Sequence, residues 1–465
     1  MSTRTVAVDF GSGTIDIDVP ADSVVVEFED PPLLKDPEAA VRQALAEPYD
    51  SAPLRERAKP GMTVAIGFDD ITRPALPPQT ILPIVVEELF ACGINERDIL
   101  FINASSNHRK NTPAELAAHL GPEIYARFGP LGQIVNHDCT DQSELTYFGV
   151  TDGGRVVEMN RRFVEADLMI YQGNVFPQPF KAYTGTGVAI GLASTKSIAS
   201  HHSFHAIPSP GKKKSSVTDR AKRSVKVEMT EYLDAALGRE VFYINAVTGI
   251  GGKLAGVYAG SAKGVKPPAW EFADKIFNKP VPQADVMIVG IPESYSYGNA
   301  DDTLIAAVGA CVPPRFSPKA PVLREGGVVI AMTCSRGVVN TETHPSYQDV
   351  IDLYGRYFSV RDMVDHEDEF NNRADYRHKY THGFAYPPLH GFWIIYELES
   401  TLQRASSVIM AGVPNPEPFR TLGLQVARDF EAAWKMALKT VGKDPVTVVA
   451  PTFHTKPKIK FCVDE

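Results

Sequence analysis

The chain has 465 residues, more than one hydrophobic core ordinarily holds, so we expect two domains. Apolar residues make up 44% and charged residues 22%, which excludes a disordered chain, and the net charge of -9 argues against a general nucleic-acid binder. Its five cysteines form no CxxC pair, which predicts neither a disulfide framework nor a cysteine-based zinc site.

The N-terminus lacks the long apolar stretch of a secretory signal. No uninterrupted apolar run approaches the roughly 18 residues that a membrane span requires. We therefore expect a cytoplasmic protein that has neither a membrane nor a nucleic acid as a partner.

Strand and helix patterns alternate near the start of the chain. The apolar run 62–68 predicts a buried strand, and residues 80–92 carry apolar side chains at close to helical spacing. Residues 98–104 predict the next strand, and the segment from Thr112 to Glu115 has the form of a capping box with Pro at the first helical position. This alternation predicts a parallel sheet covered by helices on both faces.

Further apolar runs predict more strands along the chain. A third strand is expected at 166–171, and a fresh pattern begins with a strand at 284–290. A helix from about Asp302 and a strand at 326–332 follow it. The second half therefore predicts an α/β unit of its own.

Residues 261–283 are rich in Lys, Pro and Ala, and we interpret them as the connection between two domains. The predicted fold class is accordingly α/β, with two α/β domains whose mainly parallel sheets flank a cleft. We assign 1–280 to an N-terminal domain that carries the site loops and 281–465 to a smaller domain that closes the cleft.

Polar segments at 70–74 and 107–109 directly follow the first two predicted strands, where ligand-binding loops lie in parallel sheets. Arg73 can hold a carboxylate or phosphate in a bidentate fork, and Asp70 can orient it or contact a ligand hydroxyl. His108 has the side chain most readily adapted to proton transfer. The alternatives are a polar turn with a local Asp–Arg pair and a structural histidine.

A Gly-rich segment at 183–191 contains the run Thr184-Gly185-Thr186-Gly187. Glycines let backbone N–H groups approach an anion closely, as in phosphate-binding nests. The segment matches neither a Walker A loop nor a dinucleotide-binding fingerprint, so a flexible loop or tight packing is equally consistent with it.

Three histidines, His201, His202 and His205, lie within five residues. Imidazole suits nickel, zinc and copper, and on a helix His201 and His205 would share a face. The alternative is a polar turn at the surface.

These motifs resemble the nickel-dependent lactate racemase (LarA-like) family, most densely between about residues 61 and 205. The matching segments are Asp70-x-Thr72-Arg73-Pro74, which looks like D-x-T-R-P; Asn107-His108-Arg109 with Thr112 and Glu115, which looks like G-x-H-R-x-x-x-x-E-L; Asn136-His137-Asp138, which looks like N-H-D; and Thr195-Lys196-Ser197-Ile198 ahead of the histidines.

The resemblance implies a catalytic acid/base at His108 and a nickel ligand at His202, with His201 as the next best match. It also implies a nickel-pincer nucleotide, a phosphate-bearing pyridinium that holds nickel by a carbon and two sulfurs. In the mechanism proposed for the family, a His removes the hydroxyl proton of a 2-hydroxy acid. The pyridinium accepts the α-hydride and returns it to the other face, and a second His is the opposite base.

The chain departs from the family at two central positions. The family tethers its cofactor to a Lys in the Gly-rich loop, whereas this loop has none, and Lys181 and Lys196 only flank it. The second catalytic His is missing from 176–180. We therefore expect the cofactor, unless it is absent, to be bound without a covalent link by Asp70, Thr72, Arg73, Thr184, Gly185, Thr186 and Gly187. We expect Tyr183, Lys181 or His205 to replace the second base.

A third departure lies in the second domain, where the family has a Gln/Lys pair that helps hold the substrate. Residues 292–297 of this chain read Pro-Glu-Ser-Tyr-Ser-Tyr in that region.

Three functions are consistent with these motifs. The first is a racemase or epimerase of a 2-hydroxy acid larger than lactate, such as a sugar acid, with a noncovalent nickel-pincer nucleotide and cofactor-synthesis proteins as partners. The second is a nickel-independent lyase or dehydratase of hydroxy acids that uses His108 and Arg73. The third is a non-catalytic protein that binds a nucleotide cofactor.

Overall fold

A computed structural model describes residues 2–179, 183–202 and 225–463. The strands are β1 (Thr3–Gly11), β2 (Gly13–Pro20), β3 (Val24–Val25), β4 (Val64–Asp69), β5 (Ile99–Ala104), β6 (Ile134–Asn136), β7 (Leu145–Val150), β8 (Val156–Asn160), β9 (Leu168–Val175), β10 (Phe242–Thr248), β11 (Leu254–Gly260), β12 (Asn278–Val281), β13 (Ala284–Pro292), β14 (Ser294–Tyr295), β15 (Gly298–Asn299), β16 (Leu323–Met332), β17 (Ser407–Ala411), β18 (Gln425–Ala427), β19 (Thr447–Ala450) and β20 (Lys460–Val463).

The helices alternate with these strands. They are α1 (Pro37–Ala46), α2 (Leu54–Arg57), α3 (Leu76–Ala91), α4 (Pro113–Phe128), α5 (Arg161–Glu165), α6 (Val188–Gly191), α7 (Thr195–His202), α8 (Val225–Leu237), α9 (Ala262–Phe277), α10 (Thr303–Cys311), α11 (Tyr347–Tyr357), α12 (Val360–Met363), α13 (Glu367–Asn371), α14 (Ala374–His382), α15 (His390–Arg404), α16 (Glu417–Thr421) and α17 (Phe430–Val441).

The first sheet has the order β11-β10-β9-β4-β5-β6 and is parallel except for β11. Apolar residues of α1 to α4 cover one face, and those of α6, α8 and α9 cover the other. The predicted capping box is confirmed, because the Thr112 side chain accepts from the Glu115 backbone N–H and the Glu115 carboxylate accepts from the Thr112 N–H. This sheet carries the loops that were predicted to bind ligand.

The second sheet has the order β18-β17-β16-β13-β1-β2, with β19 beside β13 and β3 beside β19. It packs against α17 on one face and against α10 and α15 on the other. Both sheets are mainly parallel and helix-covered, so the predicted α/β fold class is confirmed.

The strands divide the chain differently from the predicted segments 1–280 and 281–465. The strands β1, β2 and β3 come from the N-terminus but belong to the second sheet, where Phe10 pairs with Ile291 and Val25 with Val449. The alternating pattern of the N-terminal hairpin indicates strands, but it cannot indicate which distant strand they join.

The predicted inter-domain connection at 261–283 is wrong for most of its length. Ser261 caps α9 through its side chain, and the helix buries Trp270 and Phe277 against the first sheet. The burial of its apolar residues, which recur at helical spacing, outweighs the helix-breaking effect of the two prolines inside the helix.

Within the described residues, no helix combines the length and the apolar character that crossing a bilayer requires.

Candidate active site

A cavity of about 300 Å³ lies between the two domains. The first domain lines it with residues from the loops that follow β4 and β5, and the second domain with residues of the β14–β15 hairpin and the segment before α15. The lining residues are Asp70, Ile71, Thr72, His108, Arg109 and Asn111 from the first domain and Ser294, Tyr295, Ser296, Tyr297, Gly298 and Tyr386 from the second. The structure therefore brings the two predicted polar segments to one cavity.

Asp70 and His108 form the central pair of this cavity. The Nδ1 of His108 lies 2.7 Å from Oδ2 of Asp70, and the Asp70 side chain is buried. An ionised carboxylate can only accept hydrogen bonds, so Nδ1 must carry the proton that it donates to Asp70. In the neutral ring, Nε2 is then an acceptor and can take up a proton.

The surroundings of Asp70 keep its carboxylate ionised. Burial alone raises the pKa of this carboxyl, but the charge and hydrogen bond of His108, with help from Arg73 and Thr72, outweigh it and lower the pKa to about 2. The Thr72 hydroxyl donates to Oδ1 of Asp70. The pair is therefore set for proton transfer by His108, with Asp70 remaining charged.

Arg73 links this pair to the Gly-rich loop. One guanidinium nitrogen donates to the Thr72 hydroxyl at 2.7 Å, and the guanidinium carbon lies 4.2 Å from the centroid of the Phe176 ring. The backbone N–H of Phe176 in turn donates to the Thr184 hydroxyl at 3.0 Å. Arg73 and Thr184, both predicted to bind the cofactor, are thus joined through Phe176.

The glycines of the loop pack closely on β9 and β10. Gly185 has a φ of +114°, and a Cβ at this position would lie 2.8 Å from the Asn245 side-chain nitrogen. A Cβ at Gly187 would clash with the Tyr171 hydroxyl. Thr186 is buried beside them. Tight packing, one of the two alternatives for this loop, is therefore what these glycines provide.

Two buried amides beside the loop, those of Asn174 and Asn245, have no hydrogen-bond partner among the described residues for either side-chain polar atom. Asn174 accepts from the Thr184 hydroxyl through its backbone carbonyl, and Asn245 touches Gly185. Buried polar groups normally find partners, so these amides offer hydrogen bonds to a polar ligand at the carboxyl ends of β9 and β10.

The structure does not bring Tyr183 to the cavity. Its side chain is buried, its hydroxyl donates to Oδ1 of Asp274 at 2.6 Å, and its ring packs edge-on against Trp270. The position of Tyr183 therefore does not support its predicted role as a replacement base near His108, because its side chain packs in the hydrophobic core.

The predicted metal ligands are not cavity-lining residues either. His202 ends α7, and its ring centroid lies 6.4 Å from that of Trp393 on α15. In the described residues, no three His, Cys, Asp or Glu side chains are grouped so that they could hold a metal ion. The side chain of His201 and the residues Lys181 and His205 lie outside what the structure describes.

Aromatic residues that no sequence motif indicates surround His108. The ring centroids of Tyr297, Tyr386 and His390 lie 5.6, 6.4 and 6.2 Å from that of His108. Behind them, the Tyr347 hydroxyl lies 3.0 Å from Nδ1 of His390. These residues come from three separate segments of the second domain, and no motif in the sequence links them to His108.

Burial keeps this aromatic group neutral. Desolvation and the charge of His108 hold the pKa of His390 well below its usual range, so its ring is uncharged. Burial and the nearby Asp70 carboxylate raise the pKa of Tyr386, and burial also raises the pKa of Tyr297. Both tyrosines therefore keep their hydroxyl protons, which they can donate to a ligand in the cavity.

Known proteins resemble this chain in sequence. Residues 10–215 match the family described as the lactate racemase N-terminal domain. The lactate racemase of Thermoanaerobacterium thermosaccharolyticum is 24% identical over 306 residues, and that of Lactiplantibacillus plantarum is 28% identical over 301 residues. Each match covers 64% of this chain and 66% of the relative, so the chain matches just under two thirds of the relatives' length.

Solved structures resemble it in fold. The lactate racemase apoprotein from T. thermosaccharolyticum matches with a TM-score of 0.73 and 18% identity, over 99% of this chain and 100% of that one. A Thermotoga maritima protein matches with a TM-score of 0.59 and 16% identity, over 91% and 98% of the two chains.

The fold and the cavity define a two-domain α/β protein with a polar site between the sheets, to which both domains contribute. In sequence, residues 10–215 are similar to the lactate racemase N-terminal domain family, and the chain shares its fold with the lactate racemase apoprotein of T. thermosaccharolyticum.

Proposed function

We propose that this protein is a racemase or epimerase that inverts C2 of a 2-hydroxy acid larger than lactate, such as a sugar acid. The carrying observation is the buried Asp70–His108 pair, 2.7 Å apart, at the cavity between the two domains. The similarity to proteins named lactate racemase supports the reaction type. A non-catalytic binding protein would have no use for such a pair.

The cavity supports the choice of a larger substrate. Its volume of about 300 Å³ falls in the range of roughly 300–1,000 Å³ that is typical of sites for small organic ligands. Ser294, Ser296, Tyr297 and Tyr386 line it with neutral hydroxyl groups. Such groups donate to and accept from the hydroxyls of a sugar-acid chain.

Residues that line the cavity have separate roles in the proposed reaction. Tyr297 and Tyr386, which keep their hydroxyl protons, donate hydrogen bonds to the substrate. Asp70 fixes the tautomer and orientation of His108, whose Nε2 accepts the proton of the C2 hydroxyl. The proton returns from the same nitrogen when the hydroxyl is restored, so His108 is the acid and the base of this half of the reaction.

The nickel-pincer nucleotide fits the polar groups beside the Gly-rich loop. Its phosphate would be bound by Arg73, its remaining polar atoms by the unpartnered amides of Asn174 and Asn245, and its nickel by the imidazole of His202. Because Thr184–Val188 contains no Lys, this binding would be noncovalent. When bound, the group supplies the acceptor for the α-hydride. Cofactor-synthesis proteins are then expected partners, in the cytoplasm.

The test is to produce the full chain with and without cofactor-synthesis proteins and to measure nickel content and C2 inversion. We expect nickel-containing protein to interconvert D-gluconate with its C2 epimer, detected by chromatography, and a His108→Ala variant to be inactive. Protein that stays free of nickel when the synthesis proteins are present contradicts the cofactor. Water loss or carbon–carbon cleavage of the acid without nickel would instead support a lyase or dehydratase that uses His108 and Arg73.

A further inference from the structure

A pair of histidines lies on the exposed face of α14, outside the cavity beside His108. His378 and His382 are one helical turn apart, and their ring centroids are separated by 4.8 Å. Residues at this spacing lie on one face of a helix, in successive turns. The two imidazoles can therefore reach one ligand together.

The protein does not use either imidazole for its own packing. Both side chains are exposed, and among the described residues neither forms a hydrogen bond or an ion pair. They line a groove of about 400 Å³ together with Asn372, Ala374, Arg377 and Thr381. The two rings are thus accessible to a ligand that enters this groove.

Paired imidazoles on one helix face suit a divalent transition metal. Imidazole is a good ligand for zinc, nickel and copper, and two histidines at positions i and i+4 of a helix are a recognised zinc-binding arrangement. Of the described residues that line the groove, none carries a carboxylate, so magnesium, which prefers oxygen ligands, has little to bind. Water molecules would complete the coordination of the metal.

Two cationic residues are close to this pair in sequence, Arg377 and Lys379. The ammonium group of Lys379 is held elsewhere, 2.9 Å from the Glu342 carboxylate and 3.0 Å from the Thr341 carbonyl. Arg377 lines the groove but is exposed, so solvent and salt screen its repulsion of a bound metal ion. These charges weaken the binding of a metal ion without preventing it.

The last turn of α14 also contacts the first domain. The Thr381 carbonyl accepts a hydrogen bond from Lys110 at 3.1 Å. The Tyr380 hydroxyl accepts one from the Cys139 N–H at 3.3 Å. Lys110 directly follows Arg109, which lines the cavity between the domains. A metal bound by the histidine pair joins two turns of this helix, and it therefore stabilises the segment that makes these contacts.

We propose that His378 and His382 form a two-histidine site for a divalent transition metal such as zinc, and that the bound metal holds the end of α14 against the loop that follows β5. The site goes beyond the proposed function, because its groove shares no lining residue with the cavity beside His108. An ion that binds the folded helix and not the unfolded chain stabilises the helix by linkage.

Calorimetry tests the site on the full chain produced without cofactor-synthesis proteins. Zn²⁺ should bind to the wild-type protein at a site whose affinity falls at least about tenfold in His378→Ala and in His382→Ala, because losing even a residue that supports a metal ligand costs roughly 10–100-fold. Mg²⁺ binding should not depend on either histidine. Identical Zn²⁺ binding by the wild-type protein and both variants overturns the site.

Two control variants separate chelation from the mere presence of imidazoles. His366→Ala removes an imidazole that lies 3.3 Å from the Glu369 carboxylate, and it should leave the affinity unchanged. The double variant Arg377→His/His378→Ala keeps the number of histidines but places the two on different faces of the helix. It should bind Zn²⁺ as weakly as His378→Ala, and wild-type affinity in this double variant would contradict chelation.

Hydrogen exchange measures the effect of the metal on the contact between the domains. Zn²⁺ should slow the exchange of backbone amides in residues 378–382 and 107–111 of the wild-type protein, and it should leave both segments unchanged in His378→Ala. Slower exchange in 378–382 alone would overturn the action of the metal on the first domain.

Discussion

Asp70 contributes to the proposed reaction by orienting His108. Its carboxylate is buried and ionised, and it accepts hydrogen bonds from the Thr72 hydroxyl and from Nδ1 of His108. The imidazole therefore has one orientation and one tautomer before the substrate binds. This preorganisation is what a proton acceptor needs in order to act at the C2 hydroxyl.

Replacing Asp70 with Asn should lower kcat by a factor on the order of 10²–10⁴, because the amide can present a donor to Nδ1 and favour the wrong tautomer. Turnover of the best hydroxy acid, measured with the loaded enzyme, checks this. Because the pair acts as a unit, the double variant with His108→Ala should be no worse than His108→Ala alone. Additive losses would show that Asp70 acts independently of His108.

Acid should destabilise the folded protein partly through Asp70. The pKa of this carboxyl falls from 3.8 to about 2 on folding, so its stabilisation is complete above about pH 4 and is lost as pH falls through 2. A shift of this size contributes roughly 2 kcal/mol. Urea unfolding as a function of pH should show a shallower loss between pH 4 and 2 in Asp70→Asn. Parallel curves for the two proteins would contradict this assignment.

Asp70, Arg73 and His108 could be found from the sequence because each directly follows a strand with a clear apolar pattern. The aromatic group around His108 could not be found in this way. Its members come from distant segments of the second domain, and only the packing of the two domains brings them to the cleft.

Single helices and strands are predicted well where capping residues or apolar runs mark them clearly in the sequence. The capping box identified the start of α4, and apolar runs identified β4 and β5 to within two residues. The segment of α9 predicts a linker because its two prolines obscure the apolar stripe of the helix. Element-scale prediction therefore worked where local chemistry and tertiary packing agree, and failed where packing overrides a local signal.

Thr112→Ala should lower the free energy of unfolding by about 1 kcal/mol, because it removes the side-chain acceptor for the Glu115 N–H at the start of α4. Urea denaturation measures the change. Thr341→Ala is the matched control, since Thr341 is exposed and makes no side-chain hydrogen bond in the described structure. Equal effects of the two substitutions would refute the capping contribution.

Gly187→Ala should cost roughly 1–3 kcal/mol, because the added methyl group would clash with the buried Tyr171 hydroxyl beneath the Gly-rich loop. Gly13→Ala is the control, since a Cβ there has no atom within 4 Å. Thermal unfolding of both variants checks the difference. A stable Gly187→Ala protein would mean that the loop does not need close contact with β9.

The second domain is built from both ends of the chain. The N-terminal strands β1 and β3 pair with β13 and β19, which lie far along the sequence, so the domain is complete only when both segments are present. The first sheet, in contrast, is drawn from one continuous stretch between β4 and β11. Hydrophobic patterns carry no information on long-range pairing, so the sequence predicts a boundary between two continuous segments instead.

Fragments of the chain should behave accordingly. A fragment of residues 281–465 should not unfold cooperatively. The same fragment joined by a flexible linker to residues 2–26 should unfold cooperatively, because only this joined fragment contains every strand of the second sheet. A fragment of residues 27–281 serves as the control and should unfold cooperatively. Circular dichroism during urea denaturation measures all three, and cooperative unfolding of 281–465 alone would contradict the discontinuous domain.

The N-terminal hairpin also sets an order of events during synthesis on the ribosome. The strands β1 and β2 emerge before β13, the parallel partner of β1, which is translated only after the whole first sheet. The first domain can therefore fold while the hairpin waits with an unpaired edge, and the second domain closes last, when β19 has been made. The exposed edge of this waiting hairpin is where a nascent chain of this protein would need protection by a chaperone.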